Sequence, residues 1–346
     1  MNAGPLKACR EPRIAHIGNT PMRRIALLID GKWRRVCLKL EGYNPGGSSK
    51  DRTARALMDD LHARGLLSSS SIIIESTSGN LGVSLAFICR EMGYRFLAVI
   101  DPKTTEENRH KIQKLGGELQ LVDEPDETGG YLLSRLHRVH ELCHQSSQYV
   151  WTDQYTSPAN PLAHFLTTGP EIYRQMQGRV ELIFVAVSTG GTLAGIGRYL
   201  RKESPETTIV AVDAHGSVIF GGAPRARKLT GIGSSQRSNF IKSELYDGHL
   251  AVSDFDAFSL CLQLDTAAGI RVGGSSGAVL FACAEYLAQH PNIHNVVCLC
   301  PDDGKNYEST IFDVKWRREN GFALETRSPI VEKIVACEEF GIPSVG

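Results

Sequence analysis

The stretch that decides the fold is Asn44-Pro45-Gly46-Gly47-Ser48-Ser49-Lys50-Asp51-Arg52, which places a lysine directly after a loop of proline, glycine and serine. A helical pattern follows over residues 51–64. Lys50 is therefore expected at the start of a helix, on a stiff frame. A lone lysine is ordinarily a solvated surface charge, so its meaning depends on what else the chain carries.

Two later loops of small residues accompany this lysine. They are Ser76-Thr77-Ser78-Gly79-Asn80-Leu81-Gly82 and Ser188-Thr189-Gly190-Gly191-Thr192, each between an apolar β-branched run and a helical pattern. The order strand, glycine loop, helix joins backbone N–H groups to the positive end of a helix dipole, which binds phosphate or carboxylate. One lysine and two such loops predict a bound phosphorylated cofactor. A dinucleotide is the rival ligand, but the glycines over 190–197 have the wrong spacing for it.

These three stretches, in this order and at these distances, resemble the cysteine synthase and cystathionine β-synthase group of pyridoxal-phosphate (PLP) enzymes. Two further segments, 158–171 and 273–278, are similar to the same family. The resemblance spans roughly residues 13 to 310. It implies fold type II, the fold of the tryptophan synthase β chain, and PLP as the cofactor.

The resemblance also implies roles at the cofactor. Lys50 would form a Schiff base with the cofactor aldehyde and then move the proton at the substrate Cα. Asn80 would donate to the ring oxygen. Ser275 would face the pyridine nitrogen, where a hydroxyl makes the ring a weaker electron sink than a carboxylate does and so favours β-elimination over transamination. The residues implied to hold the cofactor phosphate are Ser188, Thr189, Gly190, Gly191 and Thr192.

A second implied set binds the substrate α-carboxylate. Its members are Thr77, Ser78, Gly79, Asn80 and Gln154. A serine-rich turn often caps a helix, so capping is the alternative role for Thr77 or Ser78.

Strand and helix patterns alternate along most of the chain, which predicts an α/β fold with two domains, each a mostly parallel sheet flanked by helices. Residues 46–156 form the predicted smaller, mobile domain, with the carboxylate-binding residues. Residues 13–45 and 157–312 form the predicted larger, PLP-binding domain, with one helix over 162–178. The tail 313–346 has no predicted role.

Two departures from the cysteine synthase pattern indicate the second substrate. Ser188 stands where that family usually has glycine, and Tyr155 where it usually has phenylalanine. Arg135, in the helix after Thr128-Gly129-Gly130-Tyr131, adds a guanidinium fork suited to a carboxylate or phosphate. These features resemble the N-(2-amino-2-carboxyethyl)-L-glutamate synthases, and Arg135, Tyr155 and Ser188 are then expected to bind substrate.

That resemblance implies β-replacement on O-phospho-L-serine through an α-aminoacrylate, with the amine of L-glutamate as nucleophile. The products would be N-(2-amino-2-carboxyethyl)-L-glutamate and phosphate, on the way to 2,3-diaminopropionate for a siderophore or antibiotic. Arg135 and the run Arg225-Ala226-Arg227-Lys228 favour phosphate as the leaving group, unless the run is only surface charge. The alternatives are a cysteine synthase (O-acetylserine or O-phosphoserine sulfhydrylase), a cystathionine β-synthase, or a non-enzymatic binding paralogue.

Composition limits the partners. Lys and Arg number 38 and balance 38 Asp and Glu, so no net field favours nucleic acid or a membrane surface. Nine scattered cysteines favour reduced thiols in the cytoplasm over disulfides. His137, His140 and His144 share one helix face, but without a completing ligand they predict a solvated face rather than a metal site. The expected partners are amino-acid substrates, a second copy in a homodimer, and a downstream NAD-dependent dehydrogenase.

Overall fold

The computed structural model describes residues 13–126, 130–322 and 330–337 of the chain. Within these residues lie two sheets, one of seven strands and one of four. In chain order the strands are β1 (Met22–Ile29), β2 (Lys32–Leu40), β3 (Ile72–Ser76), β4 (Arg95–Ile100), β5 (Glu118–Leu121), β6 (Tyr149–Trp151), β7 (Leu182–Ala186), β8 (Thr208–Ala214), β9 (Gly248–Val252), β10 (Val296–Cys300) and β11 (Lys333–Ala336).

Helices connect most of these strands, as the alternating patterns predict. In chain order they are α1 (Lys50–Ala63), α2 (Asn80–Met92), α3 (Glu106–Lys114), α4 (Leu132–Gln145), α5 (Ala159–Ala163), α6 (Gly169–Gln175), α7 (Gly191–Glu203), α8 (Asp254–Ala268), α9 (Gly274–Gln289) and α10 (Val314–Glu319). None of the helices in the described residues is long and apolar enough to cross a membrane.

The larger sheet has the order β11-β1-β2-β10-β7-β8-β9. The neighbouring strands β2, β10, β7, β8 and β9 are parallel to one another, whereas β1 runs antiparallel to both of its neighbours, β11 and β2. The β1–β2 hairpin turns at Asp30-Gly31, where φ is 47° and 68°, the positive values that a tight hairpin turn needs. The smaller sheet, β5-β4-β3-β6, is parallel throughout. Two mostly parallel sheets flanked by helices confirm the predicted fold class.

Both sheets are covered by apolar side chains on their two faces. In β7, Leu182 and Phe184 pack into one core while Ile183 and Val185 pack into another on the opposite face. Successive side chains of a strand point to opposite faces, so a strand buried on both sides reads as a continuous apolar run. β3 shows the same division, with Ile73 on one face and its neighbours on the other.

The smaller sheet lies entirely within the segment 46–156. The mobility of that segment and the exact domain limits stay predictions. Part of the tail 313–346 does have a structure, because β11 adds an edge strand to β1 and α10 precedes it. Residues 128, 129 and 338–346 lie outside the described part of the chain. The predicted helix that carries Arg135 is α4, which begins at Leu132.

The predicted helix over 162–178 is wrong in its continuity. α5 and α6 are separated by a π-helical turn over His164–Thr168. Pro170 lacks a backbone N–H, so the regular i to i−4 ladder cannot run through this segment unbroken. The altered turn brings the ring of His164 into the protein interior.

Candidate active site

The loops with the predicted site residues all leave the carboxyl ends of parallel strands. β3 leads into residues 77–80, β7 into 188–192 and β10 into 301–302. Crevices at this edge of a parallel sheet are the usual ligand sites of α/β proteins. Side chains from both sheets meet there, because Asn80 Nδ2 donates to Asp302 Oδ2 over 2.7 Å.

Lys50 is the first residue of α1 and shares one pocket with the 188–192 loop. The loop before it is fixed, since the Ser49 N–H donates at 2.7 Å to the backbone carbonyl directly after β10. Burial lowers the pKa of the Lys50 amine, and the charges of Asp302 and Glu41 oppose that shift. A lowered pKa increases the share of neutral amine, the form that attacks a carbonyl carbon or accepts a proton.

A buried ion cluster of Lys39, Glu41, Arg52 and Glu171 fixes α1 behind Lys50. Arg52 donates to Glu41 at 2.6 and 2.8 Å and to Glu171 at 2.7 Å through each Nη atom. Lys39 Nζ donates to Glu171 Oε2 at 2.7 Å. Burial raises the pKa of Glu171, but its bonds to Arg52 and Lys39 outweigh burial and hold that pKa at about 2. Two cations therefore balance two carboxylates, and they tie α1 to β2 and α6.

The 188–192 loop has the backbone of an anion site. Gly190 has a φ of 83°, a conformation that only glycine adopts readily. A Cβ at Gly191 would collide with the side-chain amide of Asn160. α7 begins at Gly191, within this loop, so its first-turn N–H groups, which have no acceptor within the helix, lie at the pocket that Gly190 and Thr192 line.

His164 lies behind this loop and was not predicted as a site residue. Its Nε2 is 3.2 Å from the hydroxyls of both Thr192 and Thr53, and its Nδ1 is 2.9 Å from Thr168 Oγ1. Burial, together with the charge of Lys50, lowers the pKa of His164 to about 3, so the ring is neutral. A neutral imidazole can orient the Thr192 hydroxyl without adding a charge to the pocket.

Asn160 is a second residue with no predicted role. Its Nδ2 donates to Gln154 O at 2.7 Å and to Thr189 Oγ1 at 3.3 Å. It thus connects the predicted carboxylate site to the predicted phosphate site. The signal for both Asn160 and His164 was their place in the segment 158–171, which resembles the family, but that resemblance specified no contacts.

Asp302 is a third unpredicted residue, and it is only 2% exposed. Its Oδ2 accepts from Asn80 Nδ2 at 2.7 Å and from Tyr307 OH at 2.6 Å, while Oδ1 has no partner in the described residues. Burial raises the pKa of this carboxyl, and its two donors and Lys50 work against that. Asn80 Oδ1 in turn accepts from Asn306 Nδ2 at 3.2 Å, so Asn80 belongs to a polar network rather than to an open surface.

Ser275 is fully buried at the start of α9, and its hydroxyl has no partner among the described residues. Buried polar atoms in proteins nearly always have a hydrogen-bond partner. An unpaired hydroxyl at this position is therefore one that a ligand can satisfy.

The predicted carboxylate-binding residues gather where β3 ends. Thr77 Oγ1 accepts from the Gly82 N–H at 3.0 Å, so the helix-capping alternative describes part of its contacts. The hydroxyl proton of Thr77 is not used by that bond and can still be donated. Gln154 Nε2 donates to Ser76 O at 3.0 Å, which places its side chain beside the same loop. Ser78 and Gly79, half-buried, complete the turn.

Arg135 and Tyr155 do not line the pocket that contains Lys50. The guanidinium of Arg135, predicted to bind a carboxylate or phosphate, already pairs with a carboxylate of the protein, because its Nε lies 3.2 Å from Asp101 Oδ2. Its Nη1, in contrast, is buried and has no partner among the described residues. Burial raises the pKa of the Tyr155 phenol and the nearby Arg135 charge lowers it, so these two side chains are close enough to interact. Ser188, on the pocket wall, donates to Gly233 O at 3.2 Å.

The remaining charged candidates have contacts of their own. Arg227 Nη1 donates to Gly216 O at 3.1 Å, while Arg225 and Lys228 are exposed.

His137 lies 3.1 Å from Glu141 and the ring of His140 packs edge-on against Trp151. In residues 13–126, 130–322 and 330–337, no three side chains of histidine, cysteine, aspartate or glutamate group as metal ligands.

Residues 14–302 match the family model described as pyridoxal-phosphate dependent enzyme. Two curated relatives are both named N-(2-amino-2-carboxyethyl)-L-glutamate synthase. The one from Ralstonia nicotianae is 41% identical over 300 residues, which is 87% of this chain and 89% of the relative. The one from Cupriavidus metallidurans is 38% identical over 306 residues, with 88% and 90% covered.

Two solved structures are similar over most of their length. A hydrogen sulfide-producing enzyme from Fusobacterium nucleatum has a TM-score of 0.81 and 30% identity, with 86% of this chain and 99% of that one covered. An O-ureido-L-serine synthase has a TM-score of 0.80 and 31% identity, with 90% and 96% covered.

Proposed function

The chain belongs to the family of pyridoxal-phosphate dependent enzymes, and from this we propose that it catalyses β-replacement on O-phospho-L-serine. L-Glutamate attacks through its amine, and the products are N-(2-amino-2-carboxyethyl)-L-glutamate and phosphate. The observation that carries the reaction class is a single pocket shared by Lys50 and the 188–192 loop. The names of the two curated relatives support the choice of substrates.

The residues of this pocket fit PLP. Ser188–Thr192 and the start of α7 would hold the phosphate, and the unpaired Ser275 hydroxyl would meet the ring nitrogen. When bound, the cofactor supplies an electron sink for the pair released at the substrate Cα. Lys50 would bind the cofactor covalently and then hold the Cα proton, a task helped by its lowered pKa. Asn80 would donate to the ring oxygen from within the Asp302 network.

Substrate recognition follows from the polar groups around the pocket. Thr77, Ser78, Gly79, Asn80 and Gln154 would bind the α-carboxylate of O-phospho-L-serine. Glutamate carries two carboxylates and so needs at least two polar anchors, for which Ser188, Tyr155 and the unpaired Nη1 of Arg135 are the candidates. The exposed Arg225 and Lys228 precede Gly231, which lines the pocket, and would favour a phosphate leaving group.

A sulfur-adding enzyme is the second candidate. The similar structure from Fusobacterium nucleatum is described as hydrogen sulfide-producing, so a site on this fold handles sulfide, there as a product. The deciding experiment offers O-phospho-L-serine or O-acetyl-L-serine, each with L-glutamate or sulfide, and identifies the product by mass. We expect the glutamate adduct, formed faster from the phosphate ester. Cysteine formation without any glutamate adduct would identify a cysteine synthase instead.

A double substitution tests the residues that choose the nucleophile. Ser188→Gly with Tyr155→Phe should weaken glutamate use by roughly 1–3 kcal/mol for each buried polar partner removed, while sulfide addition persists or improves. The matched control is Ser70→Gly with Tyr149→Phe, the same chemical changes at two positions with no proposed role in binding glutamate. Equal losses for both nucleophiles, or equal losses in the control, would remove these residues from glutamate recognition.

The finer context is also part of the proposal. We infer a cytoplasmic homodimer whose product passes to an NAD-dependent dehydrogenase on the way to 2,3-diaminopropionate, for a siderophore or antibiotic. Leu162 and Leu166, one helical turn apart and 47% and 61% exposed, offer an apolar surface that a second copy would cover. Light scattering on the purified chain tests the dimer, and a mass of one chain would exclude it.

A further inference from the structure

Glu75 is a fully buried carboxylate directly before the 76–80 loop, and it lies outside the sets of residues proposed to bind the cofactor and the substrates. Its Oε1 accepts from the Ser76 N–H at 2.8 Å and from Trp151 Nε1 at 3.3 Å. Its Oε2 accepts from Thr152 Oγ1 at 2.5 Å and from the Gln154 N–H at 3.1 Å. One side chain therefore joins the end of β3 to the segment 151–154.

These two segments carry the residues proposed to bind the α-carboxylate. Thr77 lies two residues after Glu75, and Gln154 makes one of the four bonds by donating its backbone N–H. Gln154 also returns to the first segment, because its Nε2 donates to Ser76 O at 3.0 Å. Beyond the end of the β3–β6 pairing, Glu75 thus helps to set the separation of Thr77 from Gln154.

The four donors match an ionised carboxylate. A carboxylate presents about four lone-pair sites, and all four are used here. A proton on Oε1 would displace an N–H donor, whereas a proton on Oε2 would force the Thr152 hydroxyl to reverse its direction and would remove the charge that strengthens all four bonds. An amide in place of the carboxylate would likewise turn an NH₂ group towards at least one N–H donor.

Glu75 forms no ion pair with any of the described residues. Asp153 on the adjoining turn adds a like charge, and Tyr155 and Arg135 lie beyond it. His140 packs on the far side of Trp151. Burial raises the pKa of Glu75 to about 7, although its three side-chain and backbone donors lower it. The carboxyl of Glu75 therefore gains or loses its proton when the pH changes near neutrality.

We propose that Glu75 is a positioning residue, whose ionised form holds Thr77 and Gln154 at the spacing that the α-carboxylate of the amino-acid substrate needs. This inference rests on the proposed function for the identity of the substrate, whereas the hydrogen bonds from residues 151–154 to Glu75 do not depend on it. Loss of the charge should weaken binding of the amino acid and leave the chemical step of the bound complex nearly intact.

The test compares Glu75→Gln with the wild-type holoenzyme and with Glu118→Gln, an exposed carboxylate on β5 of the same sheet. We expect the KM for O-phospho-L-serine to rise roughly tenfold, as the loss of one good hydrogen bond would give, with kcat within about threefold. In wild type, KM should also rise as the pH falls below about 7, and Glu75→Gln should lack that dependence. An unchanged KM, or a fall in kcat alone, would overturn the proposal.

A milder variant and a second readout separate positioning from misfolding. Thr152→Val removes one of the four bonds and should raise KM in the same direction but by less. Calorimetric binding of L-alanine, which has the α-carboxylate and no leaving group, should weaken in parallel in both variants. If wild type fails to turn over O-phospho-L-serine, the proposed function fails, and L-alanine binding still decides on Glu75. Equal L-alanine affinity in wild type and Glu75→Gln would refute the inference.

Discussion

Lys50 combines two properties that its sequence position alone does not guarantee. It is anchored by a helix start and by the Ser49 bond to the end of β10, and burial lowers its pKa. The phosphate would be held by a different element, the 188–192 loop. Lys50→Ala should therefore retain PLP but lose its visible absorbance band and all turnover.

The measurement pairs cofactor content with the absorbance spectrum and product formation. Lys114→Ala, an exposed lysine on α3, is the matched control and should change none of them. Retention of both the band and turnover in Lys50→Ala would remove this lysine from the mechanism, whereas loss of the cofactor itself would show that the loop alone does not hold it.

His164 should make stability depend on pH. Its pKa is 6.5 in the unfolded chain and about 3 in the folded one, so the unfolded state binds more protons between these values and stability falls as the pH falls. From pH 6.5 to about 5 that loss is about 2 kcal/mol. Glu75 acts in the opposite sense, because its folded pKa of about 7 lies above its unfolded value of 4.5 and favours the folded state as the pH falls.

The two slopes offset each other in wild type, so a substitution is needed to reveal either one. His164→Gln should gain about 2 kcal/mol of unfolding free energy relative to wild type between pH 6.5 and about 5. Urea unfolding of the two proteins at both pH values gives this difference. A constant difference across the interval would mean that His164 titrates normally in the folded protein.

At the scale of elements, the sequence predicts best where a local pattern is sufficient. β4 and β10 lie where apolar runs predict strands, because a strand buried on both faces has a continuous apolar run. α2 and α7 begin at the two glycine loops, as those loops predict. β9 and β11 were not predicted. Both are half-exposed edge strands that are held in place by pairing, β9 with β8 and β11 with β1. A strand that depends on a partner elsewhere in the chain leaves no local pattern in the sequence.

The same reason separates the predicted site residues from the unpredicted ones. The lysine and glycine loops show themselves in sequence because their chemistry demands particular residue types at short spacing. Asp302 meets Asn80 across 222 residues and Arg52 meets Glu171 across 119, so neither contact has a sequence signal. Arg135 shows the converse: its residue type suggested an open fork, yet Asp101 occupies one side of it.

At the scale of the whole molecule, the proposed carboxylate site follows β3 of the smaller sheet and the proposed phosphate site follows β7 of the larger one. Side chains join the two halves both behind the pocket and at its edge. Behind it, Arg52 of α1 pairs with Glu41 and Glu171 of the larger half. Asn80 reaches Asp302, and Lys111 of α3 contacts Asn306. An amino acid held by the carboxylate site, and joined to a cofactor held by the phosphate site, would link the two halves, and ligands between domains commonly draw them together.

We therefore expect residues 46–156 to move towards the larger half when an amino acid binds. Small-angle scattering of the holoenzyme should show a smaller radius of gyration with saturating L-alanine than without it. Lys111→Ala removes one contact between the halves and should reduce that change, whereas Lys114→Ala, exposed on the same helix, should not. Because L-alanine has no leaving group, chemistry cannot contribute to the difference. Identical profiles with and without L-alanine would show that the two halves form a rigid unit and that the carboxylate and phosphate sites are already at their working distance.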